Sequence, residues 1–249
     1  MTTPTRRDVL IGGALALPLV AAAQAPGESP APKALKVVVV GGHPDDPESG
    51  AGGTMARLAD SGHEVVALYL TRGEAGIRGK SHDEAAAIRT AECEKACQIL
   101  KARPAFGGQV DGATEIGLAR YDAFAKILLA EKPDVVFTQW PVDTHRDHRA
   151  ASLLAYDAWL KSGGRSSFAL YYFEVMTGDQ SQNFRPTDYV DITSTEQRKR
   201  DACFAHASQD PPHFYDIHDQ MNRFRGTEHG CKFAEGFVHH DQSRRVALP

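Results

Sequence analysis

Short, almost wholly apolar segments alternate along this chain with longer segments of helical spacing. Three of the apolar segments have the length of strands and span residues 35–40, 64–70 and 134–138. A strand with apolar side chains on both faces has to be covered on both faces, which is typical of a parallel sheet between helices. The pattern therefore predicts an α/β domain built on a doubly wound, mostly parallel sheet. Helices are predicted over residues 50–61, 82–100, 121–130, 150–160 and 194–208, and later strands over 168–173, 189–192 and 233–238.

The composition is that of a soluble globular protein, with 42% hydrophobic and 24% charged residues in a chain of 249. The formal net charge of −4 gives no electrostatic basis for binding nucleic acid or anionic lipid. We therefore expect a small neutral or polar ligand and no nucleic-acid partner. The folded domain is expected to occupy residues 35–249, after a proline-rich linker at residues 26–34.

Residues 1–25 have the pattern of an export signal rather than of a folded segment. Arg6 and Arg7 precede a short apolar run, and small residues suited to cleavage follow it. This arrangement predicts a twin-arginine signal peptide, cut after Ala23 or Ala25, that engages the twin-arginine export machinery. A retained anchor is less favoured because a membrane span needs about 20 apolar residues. We expect a periplasmic or secreted protein without stable membrane insertion once the signal is removed.

Two clusters of metal-binding residue types follow two of the predicted strands. VVVGGHPDDPE occupies residues 38–48, and WPVDTHRDH occupies residues 140–148. Because parallel strands end at the same edge of a sheet, the two clusters should meet there. A cation would offset the repulsion between the neighbouring carboxylates. The sequence therefore predicts a metal site at this edge.

Two imidazoles and one carboxylate, with one position left to water, are the usual ligands of a catalytic zinc ion. We assign them to His43, Asp46 and His148, with Asp45 directed toward the bound water and His145 on the other side of the metal. The same ligand types also suit Fe²⁺, so iron stays an alternative. Helix capping would explain one carboxylate, but not the two distant histidines. Dinucleotide binding is disfavoured because the GxGxxG pattern is missing and the two aspartates would repel a pyrophosphate.

Four motifs together resemble one known family. HPDDPESGAGGT is similar to the AHPDDE signature and its following GGT in the PIG-L (LmbE-like) family of zinc-dependent N-acetylglucosaminyl deacetylases. TRGEAG at residues 71–76 resembles the TxGExG loop of that family, and HRDH at residues 145–148 resembles its HPDH. FAEGF at residues 233–237 resembles its closing YAEAF. The matches run in family order over nearly the whole expected mature chain.

The resemblance implies a Rossmann-like fold and assigns roles to individual residues. It implies zinc ligands at His43, Asp46 and His148, and a general base at Asp45. It gives His145 the role of stabilising the tetrahedral intermediate or protonating the leaving amine. The chain departs from the family pattern in two places: Pro47 stands where glutamate is usual, with Glu48 one place later, and Arg146 replaces the proline of HPDH. Neither change touches a ligand position, so we expect them to alter only the mouth of the pocket.

Polar and aromatic residues near these motifs are candidates for contacts with the substrate. For Glu74, bracing of its own loop is an equal alternative. The remaining histidines, among them His206 and His218, are given surface or local hydrogen-bonding roles. The candidate substrate-binding residues are Arg72, Glu74, Asp111, Trp140 and His229.

Taken together, the sequence predicts a metal-dependent hydrolase that removes an acetyl group from an N-acetylated sugar of the N-acetylglucosamine type, a glycoconjugate or a related amide. The cofactor is expected to be Zn²⁺. The alternative is a non-catalytic metal- or carbohydrate-binding protein on the same fold. The presence of Asp45 discriminates between the two, because a binding protein needs no base beside the metal-bound water.

Overall fold

The computed structural model of the protein describes residues 33–249, so the predicted signal peptide lies outside the described residues. Residues Ala34–Pro249 form one compact unit. None of the helices in this part of the chain is long and apolar enough to cross a membrane.

One seven-stranded sheet runs through the domain in the order β3-β2-β1-β4-β5-β7-β6. The neighbouring strands from β3 to β5 are all paired in parallel, whereas β7 runs antiparallel to both β5 and β6. The predicted mostly parallel α/β sheet is therefore confirmed. The strands are β1 (Lys36–Gly41), β2 (Glu64–Tyr69), β3 (Arg103–Phe106), β4 (Val135–Gln139), β5 (Ala169–Phe173), β6 (Asp188–Asp191) and β7 (Ala234–His239).

Helices cover both faces of the sheet and divide its core into two parts. In β1, Val37 and Val39 belong to one part, while Val38 and Val40 belong to the other. All four are completely buried, which explains why this strand is apolar at every position. Helices α1, α2 and α5 contribute to the first part of the core, and α3 and α4 to the second. The helices are α1 (Asp46–Asp60), α2 (His82–Leu100), α3 (Leu118–Ala130), α4 (Arg146–Lys161), α5 (Glu196–Phe204) and α6 (Pro211–His229).

Two elements are missing from the sequence prediction, and one helix is shorter than predicted. The edge strand β3 contains Pro104, which a strand tolerates at an edge because no ladder hydrogen bond is lost there. Helix α6 begins with Pro211 and Pro212, which fit the first turn of a helix. The helix predicted to reach residue 208 ends instead at Phe204, and a 3₁₀ turn spans Ala207–Gln209.

The strand order reverses between β1 and β4, and this position determines where a ligand can bind. β1 pairs with β2 on one side and with β4 on the other, so the connections that follow these two strands diverge. A crevice forms at such a point beyond the carboxyl ends of the strands. The backbone N–H of Gly42, just after β1, donates to Oε1 of Gln139 at the end of β4 at 2.9 Å. Both ligand-rich clusters open into this crevice.

Candidate metal centre and active site

The first ligand-rich cluster forms the transition from β1 to α1. Asp45 immediately precedes the helix with φ of 119°, a left-handed backbone conformation that is strained for aspartate. Asp46 is the first helical residue, and its Oδ2 accepts a hydrogen bond from the backbone N–H of His43 at 2.7 Å. The strained turn therefore directs two adjacent carboxylates in different directions from one short segment.

Asp46 lies between the two histidines that the sequence analysis paired with it. Its Oδ2 is 3.2 Å from Nδ1 of His43, and its Oδ1 is 3.3 Å from Nε2 of His148. Ligand atoms around a tetrahedral zinc ion, with bonds of about 2.0–2.1 Å, lie roughly 3.3 Å apart. The three side chains are buried. Each imidazole thus lies against a different oxygen of Asp46, and the residue types fit a divalent cation such as zinc.

Carboxylates hold the opposite nitrogen of each of these imidazoles. Nε2 of His43 is 3.1 Å from Asp147 and 3.3 Å from Asp111. Nδ1 of His148 is 3.2 Å from Asp143. Histidines that bind metals usually have their second nitrogen held in this way, which fixes the ring and its tautomer. The sequence analysis gave no role to Asp143, although it lies two residues before His145 in the second cluster.

In the described part of the chain, two groups have ligand atoms that all lie within 4.8 Å of one another: His43 with His145 and His148, and His43 with Asp111 and Asp147. Asp147 already accepts hydrogen bonds from the backbone N–H of Gly112 at 2.7 Å and from the hydroxyl of Thr114 at 2.5 Å. An aspartate with both oxygens occupied in this way is suited to orienting His43 rather than to binding an ion. Of these two groups, the one with His145 and His148 is therefore the better candidate for holding an ion, and Asp46 adjoins it.

Neighbouring carboxylates and burial together determine the pKa values of the two imidazoles. Burial opposes a charge on His148, but the neighbouring Asp46 and Asp143 raise its pKa to about 9. Burial likewise opposes a charge on His43, yet hydrogen bonds to its three carboxylate neighbours raise its pKa well above the usual value. The carboxylates thus favour the protonated form of both rings, and a cation bound there would compete with those protons. For Asp46, burial is outweighed by the two histidines, which lower its pKa well below the usual value.

His145 faces the same site, but its pKa is shifted in the opposite direction from the pKa values of His43 and His148. Its Nδ1 accepts a hydrogen bond from the backbone N–H of Asp147, so the proton of the neutral ring is on Nε2. Burial, and then the charges of His43 and His148, lower the pKa of His145. The centroid of the His145 ring lies 4.7 Å from that of His43 and 4.6 Å from that of His148. His145 thus presents a neutral N–H donor beside the metal site.

Asp45 does not contact the imidazoles and is held by an arginine instead. Nη2 of Arg89, from α2, donates to Oδ2 of Asp45 at 2.8 Å, and the same nitrogen donates to the carbonyl of Pro44. Burial raises the pKa of Asp45, while the charge of Arg89 opposes this. Arg89 is only 3% exposed. The sequence analysis missed it, although it lies at helical spacing with buried Ala85 and Cys93.

The TRGEAG loop makes room for Arg89. A Cβ atom at Gly73 would lie 2.6 Å from the guanidinium, and one at Gly76 would also collide with it. Oε2 of Glu74 accepts hydrogen bonds from the backbone N–H groups of Arg72 and Asp111, both at 3.1 Å. Glu74 therefore braces the loop, as the alternative interpretation proposed. The glycines of this motif are explained by the close approach of an arginine.

A cavity of about 390 Å³ opens above the candidate metal site. Of the predicted substrate-binding residues, Asp111 lines it, whereas Arg72, Glu74, Trp140 and His229 do not. Trp140 packs against Tyr172 and Phe184, and His229 stacks on Tyr189. The residues that line the cavity are His43, Asp45, Ala75, Gly76, Arg89, Asp111, His145, His148, Gln180 and Gln209.

Some residues lie deeper than the sequence suggested. Glu48 is not at the mouth of the pocket but is fully buried beneath the site. Its Oε1 accepts a hydrogen bond from the hydroxyl of Tyr69 at 2.5 Å. Pro47 is buried too, because it lies in the first turn of α1. His206 and His218, which were given surface or local hydrogen-bonding roles, are 0% and 2% exposed. Neither lies at the surface, although both lie among polar residues in the sequence, and Nε2 of His206 is 3.3 Å from Oε1 of Glu48.

The closing FAEGF motif is connected to the GGT motif behind the site. The carboxylate of Glu235 accepts hydrogen bonds from the backbone N–H groups of Gly53 at 2.9 Å and Thr54 at 2.8 Å. Nζ of Lys199 lies 2.8 Å from the same carboxylate. These two motifs therefore support the helix that carries Asp46.

Comparison with known proteins shows which family the chain resembles. Residues 38–159 match the profile of the PIG-L family, described as GlcNAc-PI de-N-acetylase. A diacetylchitobiose deacetylase from Thermococcus kodakarensis is 30% identical over 218 residues, which cover 81% of each chain. The chain belongs to the PIG-L family. All of the residues that carried the resemblance in the first motif fall within the matched range.

Solved structures of similar proteins extend the comparison to the fold. The N,N'-diacetylchitobiose deacetylase from Pyrococcus horikoshii has a TM-score of 0.75 and 27% identity, covering 84% of this chain and 85% of its own. The hydratase GalB from Pseudomonas putida has a TM-score of 0.74, covering 86% of this chain and 99% of its own. Because GalB is only 22% identical, it shows that the two proteins share the fold. The reaction of this PIG-L protein has to be argued from its site.

Proposed function

We propose that this protein is a zinc-dependent deacetylase that removes an acetyl group from an N-acetylated sugar or a related amide. The observation that carries the proposal is the arrangement of two adjacent aspartates. Asp46 lies between His43 and His148, while Asp45 lines the cavity and contacts Arg89. A metal-binding site requires only Asp46. Asp45 is suited to accept a proton during hydrolysis.

The residues around the cavity divide the chemistry among them. A zinc ion held by His43, Asp46 and His148 would supply electrophilic assistance and lower the pKa of bound water to about 7. Asp45 accepts the proton of the attacking water, and Arg89 holds its carboxylate in place. Nε2–H of His145 stabilises the negative charge that develops on the amide oxygen. The proton taken from the water is then delivered to the amide nitrogen, the C–N bond breaks, and an amine and acetate leave.

A hydroxylated substrate fits the polar lining of the cavity. Asp111 and Arg89 offer an acceptor and donors beside the metal site. The similar proteins from Thermococcus kodakarensis and Pyrococcus horikoshii are named as diacetylchitobiose deacetylases. A substrate of the N-acetylglucosamine type, free or in a glycoconjugate, is supported by both the polar lining and these relatives.

Release of acetate tests the proposal. The zinc-loaded protein is expected to release acetate from one or more members of a panel of N-acetylglucosamine derivatives. A chelator should abolish the release, and added Zn²⁺ should restore it. Elemental analysis, with assays under aerobic and reducing conditions, distinguishes zinc from iron. Binding of panel sugars without any acetate release would favour a non-catalytic binding protein instead.

We further propose that the protein is exported through the twin-arginine pathway. Arg6, Arg7 and the apolar run behind them support this location. Replacing both arginines by lysine is expected to leave the protein in the cytoplasm, as measured by cell fractionation and immunoblotting of the host. Unchanged export of the double variant would contradict the proposal.

A further inference from the structure

A second cavity of about 160 Å³ adjoins the first one. Three residues, Asp45, Gln180 and Gln209, line both cavities. The candidate base therefore lies where the two spaces meet. The remaining lining residues of this side cavity are Ser49, Val175, Met176, Phe214 and His218.

The side cavity differs from the main one in chemistry. Val175, Met176 and Phe214 form an apolar wall that the main cavity lacks, while the other lining residues, Asp45, Ser49, Gln180, Gln209 and His218, are polar. His218 is 2% exposed, and its Nδ1 has no hydrogen-bond partner among the described residues. Burial, followed by the charge of Lys199, lowers the pKa of His218 to about 3, so the ring is neutral. The apolar wall suits an uncharged aliphatic group of a substrate.

An amide substrate has two parts on opposite sides of the bond that is cleaved. The hydroxylated amine part fits the polar main cavity, which leaves the acyl part next to Asp45. We propose that the side cavity binds the acyl group of the substrate and accepts straight acyl chains longer than acetyl. This inference rests on the proposed amide hydrolysis. Hydrolysis adds one water across the C–N bond and yields a carboxylate and an amine at any chain length, so no other reactant is needed.

The size of the cavity indicates a longer chain. A space for a single water corresponds to about 10–15 Å³ in this measure, and a methyl group is of similar size. A volume of about 160 Å³ therefore greatly exceeds what the methyl group of acetate fills. Each further methylene buried against Val175, Met176 and Phe214 would strengthen binding about threefold to fourfold.

A series of N-acylglucosamines with acetyl, propionyl and butyryl groups tests the inference on the zinc-loaded protein. We expect kcat/KM to rise about tenfold from acetyl to butyryl. A flat or falling series, with acetate still released, would overturn the acyl pocket and leave the deacetylase proposal intact.

Two substitutions of Phe214 change the volume of the side cavity. Phe214→Trp should fill part of it and remove the advantage of butyryl over acetyl, measured as the ratio of the two kcat/KM values. Phe214→Ala should move the preferred chain to greater length. Phe224→Trp, at an exposed position on the same helix, is the matched control and should change nothing. Identical chain-length profiles for all three variants would contradict the assignment.

Binding of the carboxylate products provides a readout that does not depend on turnover. By calorimetry, butyrate should bind the zinc-loaded protein about tenfold more tightly than acetate. Phe214→Trp should remove this difference. If no sugar is hydrolysed, the butyrate preference would support the acyl pocket while the deacetylase proposal fails. Equal affinities for the two carboxylates would overturn the pocket.

Discussion

An Asp45→Asn variant is expected to lower kcat by about 10²- to 10⁴-fold without a change in metal content. Asparagine has nearly the same size and can still accept the hydrogen bond from Arg89, but it cannot take a proton from water. Asp45 makes no contact with His43 or His148 comparable to those of Asp46. The measurements are the rate of acetate release and the zinc content after gel filtration.

Asp46→Asn is the matched comparison, because it makes the same chemical change one residue later. Asp46 lies within 3.3 Å of both candidate imidazole ligands, so this variant should lose zinc as well as activity. Full turnover of zinc-loaded Asp45→Asn would remove the role of base from Asp45. Loss of zinc from both variants alike would show that the two carboxylates do not have separate roles.

The meeting of the two ligand-rich clusters could be predicted because both follow strands with a clear apolar pattern. β1 and β4 are recognisable from sequence, and the geometry of a parallel sheet brings the residues after them together. The contacts that hold the site residues in place are harder to predict from sequence. Arg89 is in a helix far from both clusters in sequence, and only the folded structure shows that its guanidinium reaches Asp45.

Helix α6 shows why some elements escape a reading based on hydrophobic periodicity. Its buried face includes His218, Asn222 and Arg225, so polar residues occupy positions where apolar ones mark a helix. Their burial depends on partners from other parts of the chain. Arg225 donates to Glu174 at 2.6 Å and 2.8 Å, and Asn222 accepts from Lys199 at 2.9 Å. Such partners cannot be identified from a local pattern.

Lys199 and Glu235 form a buried ion pair behind the site. Their charged atoms are 2.8 Å apart, and each side chain is only 1% exposed. Glu235 also accepts the hydrogen bonds of Gly53 and Thr54, so the pair connects α5 and β7 to the middle of α1. Any loss of this connection should be transmitted to the helix that begins with Asp46.

Lys199→Met is expected to lower the free energy of unfolding by about 3–5 kcal/mol, because it leaves the carboxylate of Glu235 buried without its cation. Urea denaturation, at equal zinc loading, measures the change. Lys80→Met is the surface control, since Lys80 lies 3.7 Å from Glu84 with both side chains exposed, and it should have little effect. The double variant Lys199→Met/Glu235→Gln removes both charges and should recover part of the loss, because a neutral amide costs less to bury than an unpaired carboxylate. A Lys199→Met protein as stable as the surface control would show that this pair does not support the helix.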